Sequence, residues 1–301
     1  MWFNLRHMQT PITTVALIGK YQSPEVTPTI ANVAHILRAY GLSVRIEQGT
    51  ASSTGLVSGY IVSSYDEIGE NADLAVVVGG DGTMLNAARR LSSYGVPLLG
   101  INQGRLGFLT DVPSHDAEKA LRAVLDGKAK EETRFMLDID VMRKGQRVFH
   151  TCALNDVVVN KGDLGRMIEF DVRIDDEFVY TQRSDGMIIS TPTGSTAYAL
   201  SANGPILHPN VVGIALVPLC PHTLTARPVT LPDHCTIEIT LLAPHDASVH
   251  FDGQERFDAR AGDCIRVTRA EHSIRLLHPP GYSYFAMLRE KLHWSASPRN
   301  P

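Results

Sequence analysis

The sequence has neither a surplus of basic residues nor a long hydrophobic run. It contains 28 Lys and Arg against 32 Asp and Glu, for a formal net charge of -4 at pH 7. A protein that binds nucleic acid or an anionic membrane through its overall charge carries the opposite excess. The longest apolar stretch, 211–220, is broken by Gly213 and Pro218 and is about half as long as a membrane span. We therefore expect no nucleic-acid partner and no membrane partner.

Cysteine is scarce, and the cysteines present form no recognisable motif. Cys152, Cys220, Cys235 and Cys264 show no CxxC pair and no zinc-ligand spacing, so we interpret them as free cytosolic thiols. No charged head followed by an apolar core, the pattern of a secretion signal, occurs in the N-terminal segment MWFNLRHMQT. These absences predict a cytoplasmic protein. The 12 histidines also form no HExxH pattern, which leaves no metalloprotease signature.

The length and composition indicate a two-domain globular protein. The chain has 301 residues, of which 44% are hydrophobic and 20% charged, and domains average roughly 150 residues. Apolar strands alternate with amphipathic helices in the first half, which indicates a parallel sheet covered on both faces. The predicted strands are 15–18, 44–46, 74–78 and 97–101, and the predicted helices are 28–40, 83–94 and 116–126. We expect a Rossmann-like α/β domain over 1–134, with a mobile loop at the Ser- and Gly-rich stretch 49–64.

The second half has a different periodicity. From about Phe135, short alternating strands are separated by polar turns such as Lys144-Gly145 and Asp175-Asp176. This pattern predicts a β-sandwich-like, all-β domain over 135–277. A C-terminal segment, 278–301, follows with one predicted helix at 285–294. The fold class is thus α/β plus all-β.

A glycine-rich segment, VVVGGDGTMLNAARR, covers residues 76–90. Gly79, Gly80 and Gly82 lie where a strand passes into a helix, and such a turn brings backbone N–H groups close to a phosphate. The segment matches neither the GK[ST] ending of a Walker loop nor the GxGxxG dinucleotide pattern. Asp81 is unexpected in an anion site, because a carboxylate repels phosphate unless it holds a metal or accepts a proton from an attacking hydroxyl.

The alternative interpretation of this segment is purely structural. Asp81 would cap the following helix, and the glycines would only form the turn. From this segment alone, the two interpretations are about equally favoured. Arg89, Arg90 and Arg105 are the basic residues nearest to the loop in sequence, but a helical arginine more often belongs to a solvated face.

A second segment favours the chemical interpretation. Residues 184–209, SDGMIISTPTGSTAYALSANGPILHP, run from an apolar strand into a turn dense in hydroxyl groups that opens a helix ending near Gly204. Short hydroxyl side chains and free helix N–H groups suit ribose and phosphate, and Tyr198 can stack on a flat ring or donate from its phenol. Plain loops are also commonly rich in Ser and Thr, but this one lies between an apolar strand and an apolar helix.

Taken together, three motifs make the chain resemble the NAD kinase family. They are GGDGT at 79–83, the Asn155-Asp156 pair in LNDVV, and DGMIISTPTGSTAYALSANGPI at 185–206. The resemblance extends from TVALIGK at 14–20 through NQGRLGFLT at 102–110 and FDGQ at 251–254 to FAMLREKLHW at 285–294. Many members of the family have Asn-Glu where this chain has Asn155-Asp156, so the carboxylate reaches less far here. The resemblance implies ATP-dependent phosphorylation of the adenosine 2′-hydroxyl of NAD.

The resemblance also implies roles for individual residues. Asp81 would accept the proton of the attacking hydroxyl, and Gly79, Gly80, Gly82 and Thr83 would hold the ATP phosphates. The residues expected to bind NAD are Asp81, Gly82, Asn155, Asp156, Asp185, Thr193, Thr196, Ala197, Tyr198 and Ser201. Taken alone, the Asn155-Asp156 pair is better explained by a turn and a surface salt bridge, and Asp185 by an Asp-Gly turn. For Asp252 in FDGQ we favour a hairpin turn.

The implied reaction needs ATP and a divalent metal ion. Without a Walker lysine, a cation must offset the charge on the transferred phosphate, and Mg²⁺ is the default, with Mn²⁺ as the alternative. The metal ligands are not identifiable from sequence, because Mg²⁺ keeps several waters and binds substrate phosphates. The expected partners are NAD and ATP, and the resemblance implies a homodimer or homotetramer and a C-terminal segment packed on the first domain.

Two other functions share part of this pattern. A lipid kinase of the diacylglycerol type has a similar glycine loop, but it needs an apolar acyl groove and a basic membrane face. A non-catalytic dinucleotide-binding regulator would share the NAD cleft, but it has no use for Asp81 inside a phosphate loop. The net charge and the TPTGSTAY segment argue against the first, and Asp81 argues against the second.

Overall fold

The structure is a computed structural model that describes residues 11–104, 107–162, 166–244 and 246–294. The chain divides into two compact units, which we call unit 1 (Met1–Glu132 and Arg275–Pro301) and unit 2 (Thr133–Ile274). Arg105 lies outside the described residues. Among the described residues, no helix is long and apolar enough to cross a membrane.

Unit 1 begins with alternating strands and helices, as predicted. They are β1 (Thr14–Gly19), α1 (Thr27–Ala39), β2 (Ser43–Glu47), α2 (Gln48–Thr54), β3 (Ile61–Ser63), α3 (Tyr65–Asn71), β4 (Leu74–Gly79), α4 (Asp81–Leu91), β5 (Leu98–Asn102), β6 (Val112–Pro113) and α5 (Ala117–Leu125). The strands are parallel, and the five longer ones are arranged in the order β5-β4-β1-β2-β3. Every residue of β4 and β5 is buried, as expected for strands covered on both faces. The GGDGT motif begins at the carboxyl end of β4 and therefore lies at the edge of the sheet where the parallel strands end.

Unit 2 is built almost entirely of strands, of which the first begins and the last ends within the residues of unit 1. They are β7 (Lys130–Arg143), β8 (Gln146–Ala153), β9 (Asp156–Lys161), β10 (Ile168–Ile174), β11 (Glu177–Ser184), β12 (Gly186–Ser190), β13 (Gly213–Leu219), β14 (Val229–Pro232), β15 (Ile237–Leu241), β16 (Ala247–Phe251), β17 (Glu255–Ala259) and β18 (Cys264–His278). The helical exception is short: one 3-10 turn (Gly194–Thr196) and α6 (Tyr198–Ser201) between β12 and β13.

The strands of unit 2 form two antiparallel layers. One has the order β14-β13-β12-β9-β16-β17, and the other contains β11-β10-β15-β18 with β7 beside β18 and β8 beside β7. A single hydrophobic core contains Val159 and Val249 from the first layer and Phe170 and Ile239 from the second. Burial of both inner faces in one core is the arrangement of a β-sandwich. The predicted fold class, α/β plus all-β, is confirmed.

The C-terminal residues belong to unit 1. The end of β18 runs parallel to β5, with Leu276 beside Leu98. Nδ1 of the buried His278 ring lies 2.8 Å from a carboxylate oxygen of Asp111. The last helix, α7 (Tyr284–Leu292), buries Met287 and Leu288.

The prediction of a mobile loop at 49–64 is wrong. Residues 48–54 form α2, because the Glu47 carboxylate accepts hydrogen bonds from the N–H groups of Gly49 and Thr50, each at 2.7 Å. The Thr50 hydroxyl in turn accepts from the N–H of Gly19 at 2.7 Å and ties α2 to β1. The Ser- and Gly-rich composition of this segment does not predict a helix. The helix is stabilised instead by one carboxylate cap and a contact with a distant strand.

Candidate active site

The GGDGT segment forms a very short connection between β4 and α4. Gly79 ends the strand, Gly80 is the N-cap with extended backbone, and Asp81 is already the first helical residue. Gly80 has no side chain with which to cap the helix. The positive end of α4 therefore faces the edge of the sheet at the carboxyl ends of the strands, where α/β proteins bind phosphates.

The Asp81 carboxylate is held by a separate loop. Its Oδ2 accepts from the N–H of Phe108 at 2.8 Å, and its Oδ1 accepts from the N–H groups of Leu109 and Thr110 at 3.0 and 3.1 Å. The Thr110 hydroxyl lies 3.2 Å from the same Oδ1. The interpretation of Asp81 as a helix cap is therefore wrong, since the side chain binds residues 27 to 29 positions away rather than its own helix.

Gly107 allows this loop to approach the carboxylate. A Cβ atom placed on Gly107 would overlap Asp81 Oδ1 and come too close to the Thr110 hydroxyl. The N–H of Gly107 also donates to the Thr110 carbonyl at 3.1 Å, which closes the loop. Only glycine fits at this position, so residues 107–110 and the GGDGT motif form two parts of one structure.

The arginines of α4 are distant from the phosphate loop. Arg89 and Arg90 lie in the last helical turn, about 12 Å along the axis from Asp81 at 1.5 Å per residue. The Arg90 guanidinium lies over the Tyr65 ring, 5.5 Å from its centroid. We therefore exclude Arg90 as a phosphate ligand in this conformation.

In unit 2, Asp252 organises the segment that carries Asn155 and Asp156. Its Oδ1 accepts from the N–H groups of Asn155 and Asp156 at 2.7 and 3.1 Å, and its Oδ2 accepts from the N–H of Leu154 at 2.9 Å. The Asp252 N–H donates back to the Asp156 carbonyl at 3.0 Å. Asp252 has a positive φ of 52°, so it does sit in the expected hairpin turn, but its side chain has a further role that the sequence analysis missed.

The TPTG turn holds the same segment from the other side. The Thr191 N–H donates to the Asn155 carbonyl at 2.9 Å, and the Thr191 hydroxyl donates to the Leu154 carbonyl at 2.6 Å. A Cβ atom on Gly194 would overlap the Asn155 carbonyl, so glycine is required here as well. Residues 154–156 are thus held by hydrogen bonds from both sides, by Asp252 of the FDGQ motif and by Thr191 of the TPTG turn.

A cavity of about 370 Å³ opens beside this segment. Of the residues predicted to bind NAD, four line it, namely Asn155, Asp156, Ala197 and Tyr198. His250 and Gly253 line it too, and the sequence analysis singled out neither. His250 lies in β16, two residues before Asp252, and its closeness in sequence to the FDGQ motif was the available signal for it.

The other predicted unit 2 residues lie outside the lining of this cavity. Thr193 is buried, and its hydroxyl accepts from Arg134 at 3.3 Å. The Thr196 hydroxyl donates to the Thr193 carbonyl at 3.4 Å, and Ser201 is exposed at the end of α6. These contacts give the hydroxyl-dense turn an internal hydrogen-bonding role.

Asp185 lies at the far end of β12 from Asp156. In the antiparallel pairing Ser190 is opposite Asp156, and Asp185 lies five residues before Ser190, so roughly 17 Å along the strand separates Asp185 from Asp156. The Asp185 carboxylate forms an ion pair with the Lys161 ammonium at 2.8 Å. The structure therefore does not bring Asp185 and Asp156 together within unit 2.

The buried Asp156 carboxyl has a raised pKa. Asp156 is 5% exposed, and burial followed by the negative charge of Asp252 raises the pKa of its carboxyl to about 7. A carboxyl with such a pKa can change its protonation state near neutral pH. Perturbed carboxyls that line a cavity are typical of functional sites.

This pKa predicts a specific pH dependence of stability. The unfolded carboxyl ionises near pH 4, whereas the folded one keeps its proton up to about pH 7. The Asp156 contribution to stability is therefore fully present below pH 4, is lost as pH rises towards 7, and is constant above it. Asp156→Asn removes the ionisation, so the stability of the variant relative to wild type should rise by up to about 4 kcal/mol between pH 4 and pH 8. Urea unfolding of both proteins at several pH values measures the difference, and a pH-independent difference would contradict the assignment.

No protein-only metal site is evident. Within the described ranges, no group of three or more His, Cys, Asp or Glu side chains is arranged to hold a metal ion.

The fold and the two sites define the class of protein as a nucleotide-binding phosphotransferase, and comparison with known proteins identifies the family. The ATP-NAD kinase N-terminal domain model matches residues 15–129, and the ATP-NAD kinase C-terminal domain model matches residues 154–278. The chain is 71% identical to an NAD kinase of Aromatoleum aromaticum over the full length of both chains. It is 52% identical to an NAD kinase of Bordetella parapertussis, covering 95% of this chain and 96% of the relative. The chain belongs to the NAD kinase family.

Solved structures agree with this assignment. A yeast NADH kinase complexed with NADH superposes with a TM-score of 0.89 at 27% identity, covering 97% of this chain and 91% of that one. An NAD kinase from Archaeoglobus fulgidus in complex with ATP gives a TM-score of 0.74 at 25% identity, covering 93% and 99%. The chain is a kinase, and neither the lipid kinase nor the non-catalytic regulator is favoured by these matches.

Proposed function

We propose that the chain transfers the γ-phosphoryl group of ATP to the 2′-hydroxyl of the adenosine ribose of NAD, giving NADP and ADP. The observation that carries the proposal is the Asp81 carboxylate, which is the first residue of α4 and is directed by the 108–110 loop rather than by its own helix. A carboxylate at a phosphate-binding turn is explained if it receives the proton of the acceptor hydroxyl. The yeast complex with NADH and the archaeal complex with ATP support the two substrate classes.

In this proposal unit 1 supplies the phosphate loop. Gly79, Gly80, Gly82 and Thr83 hold the ATP phosphates at the positive end of α4. Asp81 accepts the proton while the ribose oxygen forms a bond to the γ-phosphorus and the bond to the β-phosphate oxygen breaks. The proton then leaves Asp81 for solvent, and Asp81 and Gly82 also contact NAD.

Unit 2 supplies polar groups for the dinucleotide. Asn155 and Asp156 bind the adenosine part of NAD, with the ionised Asp156 carboxylate accepting from a ribose hydroxyl. Ala197 and Tyr198 complete that part of the cavity, and Asp252 positions the backbone of 154–156. Roles for Asp185, Thr193, Thr196 and Ser201 in the NAD cleft remain predictions.

A divalent metal ion, Mg²⁺ by preference, would accompany ATP and offset charge on the transferred phosphoryl group. It would be held by phosphate oxygens and water. The cytoplasmic location and the homodimeric or homotetrameric state also remain predictions.

A coupled assay tests the proposed reaction. The purified chain with ATP, Mg²⁺ and NAD should generate a product that an NADP-specific dehydrogenase reduces, and EDTA should abolish its formation. As a control, NADP offered in place of NAD should not consume ATP, because its 2′ position is already phosphorylated. Failure of the dehydrogenase to accept the product would mean that the phosphate is on another hydroxyl or that no transfer occurs.

A further inference from the structure

The two oxygens of the Asp81 carboxylate are not equivalent. Oδ1 has three donors within 3.2 Å, the N–H groups of Leu109 and Thr110 and the Thr110 hydroxyl. Oδ2 has the N–H of Phe108 at 2.8 Å. A carboxylate offers about four lone-pair sites shared between its oxygens, so Oδ1 is fully used and Oδ2 keeps acceptor capacity.

The direction of the hydrogen bond from Thr110 can be deduced from its neighbours. The Gly104 N–H can only donate, and it lies 2.6 Å from the side-chain oxygen of Asn102. The amide orientation of Asn102 is thereby fixed, with its NH₂ group donating to the Thr110 hydroxyl oxygen at 2.9 Å. Because the hydroxyl oxygen already accepts this bond, its single proton is directed to Asp81 Oδ1. Thr110 and Asn102 are almost completely buried, so water does not compete for these bonds.

We propose that Thr110 is a positioning residue for the kinase reaction, which saturates Oδ1 of Asp81 so that Oδ2 is the oxygen that accepts the proton from the substrate hydroxyl. The inference rests on the proposed function. In the step, the hydroxyl proton passes to Oδ2, the hydroxyl oxygen bonds to the γ-phosphorus, and ADP departs with the electron pair of the broken bond.

Loss of the Thr110 hydroxyl should therefore act on turnover more than on binding. In Thr110→Val, Oδ1 loses one of its three donors and the Asn102 amide loses its acceptor. The carboxylate then populates orientations in which Oδ2 no longer faces the substrate. Loss of a hydrogen bond to a charged group corresponds to a rate change of about 10- to 100-fold. We therefore expect kcat of Thr110→Val to fall by about 10- to 100-fold, and its KM for NAD and ATP to change by less than about threefold.

The first experiment compares Thr110→Val with Thr110→Ser in the coupled assay. Serine keeps the hydroxyl and should restore kcat to within a few fold of wild type. Thr181→Val is a matched control, since the Thr181 hydroxyl also donates to an aspartate, Asp171, at 2.6 Å, but in an exposed hairpin of unit 2. Thr181→Val should leave kcat unchanged.

A double-mutant cycle with Asp81→Asn separates positioning from simple structural damage. If Thr110 acts through Asp81, adding Thr110→Val to Asp81→Asn should lower the residual rate by less than about twofold. Equal losses in both backgrounds, or a raised KM with unchanged kcat, would overturn the inference. Should the valine variant fail to fold, Thr110→Ala tests the same loss with a smaller side chain. A wild-type chain that leaves NAD unphosphorylated would refute the proposed function instead, whereas active wild type with equally active Thr110→Val refutes only this inference.

Discussion

Asp81→Asn should lower kcat by roughly 10² to 10⁴ while NAD affinity stays within a few fold of wild type. This is the usual scale for removal of a general base. Asparagine has nearly the same shape, and its oxygen can still accept from the N–H groups of Leu109 and Thr110. Its NH₂ group cannot accept from the Phe108 N–H, so one of the backbone contacts is lost and the other two are retained. Asparagine cannot accept a proton from the substrate hydroxyl. Initial rates in the coupled assay and calorimetric titration with NAD measure the two quantities.

Asp126→Asn is a suitable control for this variant. Asp126 is 44% exposed in its side chain and pairs with Lys128 on the surface of unit 1, so its replacement should leave kcat unchanged. If Asp81→Asn retained kcat within a few fold, Asp81 would serve only to bind the 108–110 loop.

The second large effect is expected at Asp252. Asp252→Ala removes the acceptor of three backbone N–H groups, those of Leu154, Asn155 and Asp156. A buried donor without a partner costs about 1 to 3 kcal/mol, and partial relaxation leaves an expected loss of about 3 to 5 kcal/mol in the free energy of unfolding. Because Asn155 and Asp156 would shift, NAD affinity should fall by more than about tenfold. Urea unfolding and calorimetry test both effects.

Asp258→Asn provides the comparison on the adjoining strand. The Asp258 side chain is 77% exposed and pairs with Arg256, so the substitution should change stability by less than about 0.5 kcal/mol. A similarly small loss in Asp252→Ala would show that water replaces the carboxylate and that Asp252 only forms the hairpin turn.

Much of the fold was predictable because local patterns agree with the tertiary structure. The apolar runs at β1, β4 and β5 and the amphipathic periods of α1 and α5 gave elements within a few residues of those observed. The elements between β2 and β4, namely α2, β3 and α3, were not predicted. Of these, α2 depends on the Glu47 carboxylate and a hydrogen bond from β1 to Thr50, which no short-range pattern reveals.

The candidate site was predictable only in part, because local motifs identify its residues but not their distant contacts. Motifs and resemblance singled out Asp81, Asn155 and Asp156, whose chemistry is unusual in its sequence context. The contacts that hold them were not predictable, since Asp252 and Thr110 lie 96 and 29 residues from the groups that they bind. A carboxylate that follows a strand has the same local sequence whether it forms a turn or supports a distant segment. The polar partners of Asp185 and Thr193 likewise became visible only in three dimensions.

Transfer of label from ATP to a chosen acceptor tests the central claim most directly. The purified chain is incubated with γ-labelled ATP and Mg²⁺, together with either NAD or diacylglycerol vesicles. The cavity beside Asn155 and Asp156 places the polar side chains of these two residues in its lining. A nucleotide-like acceptor can satisfy such groups, and a site that hydrogen-bonds its ligand rejects ligands that lack the matching groups. We expect label in NADP and none in the lipid. Label in the lipid, or NAD that binds without becoming labelled, would contradict this expectation.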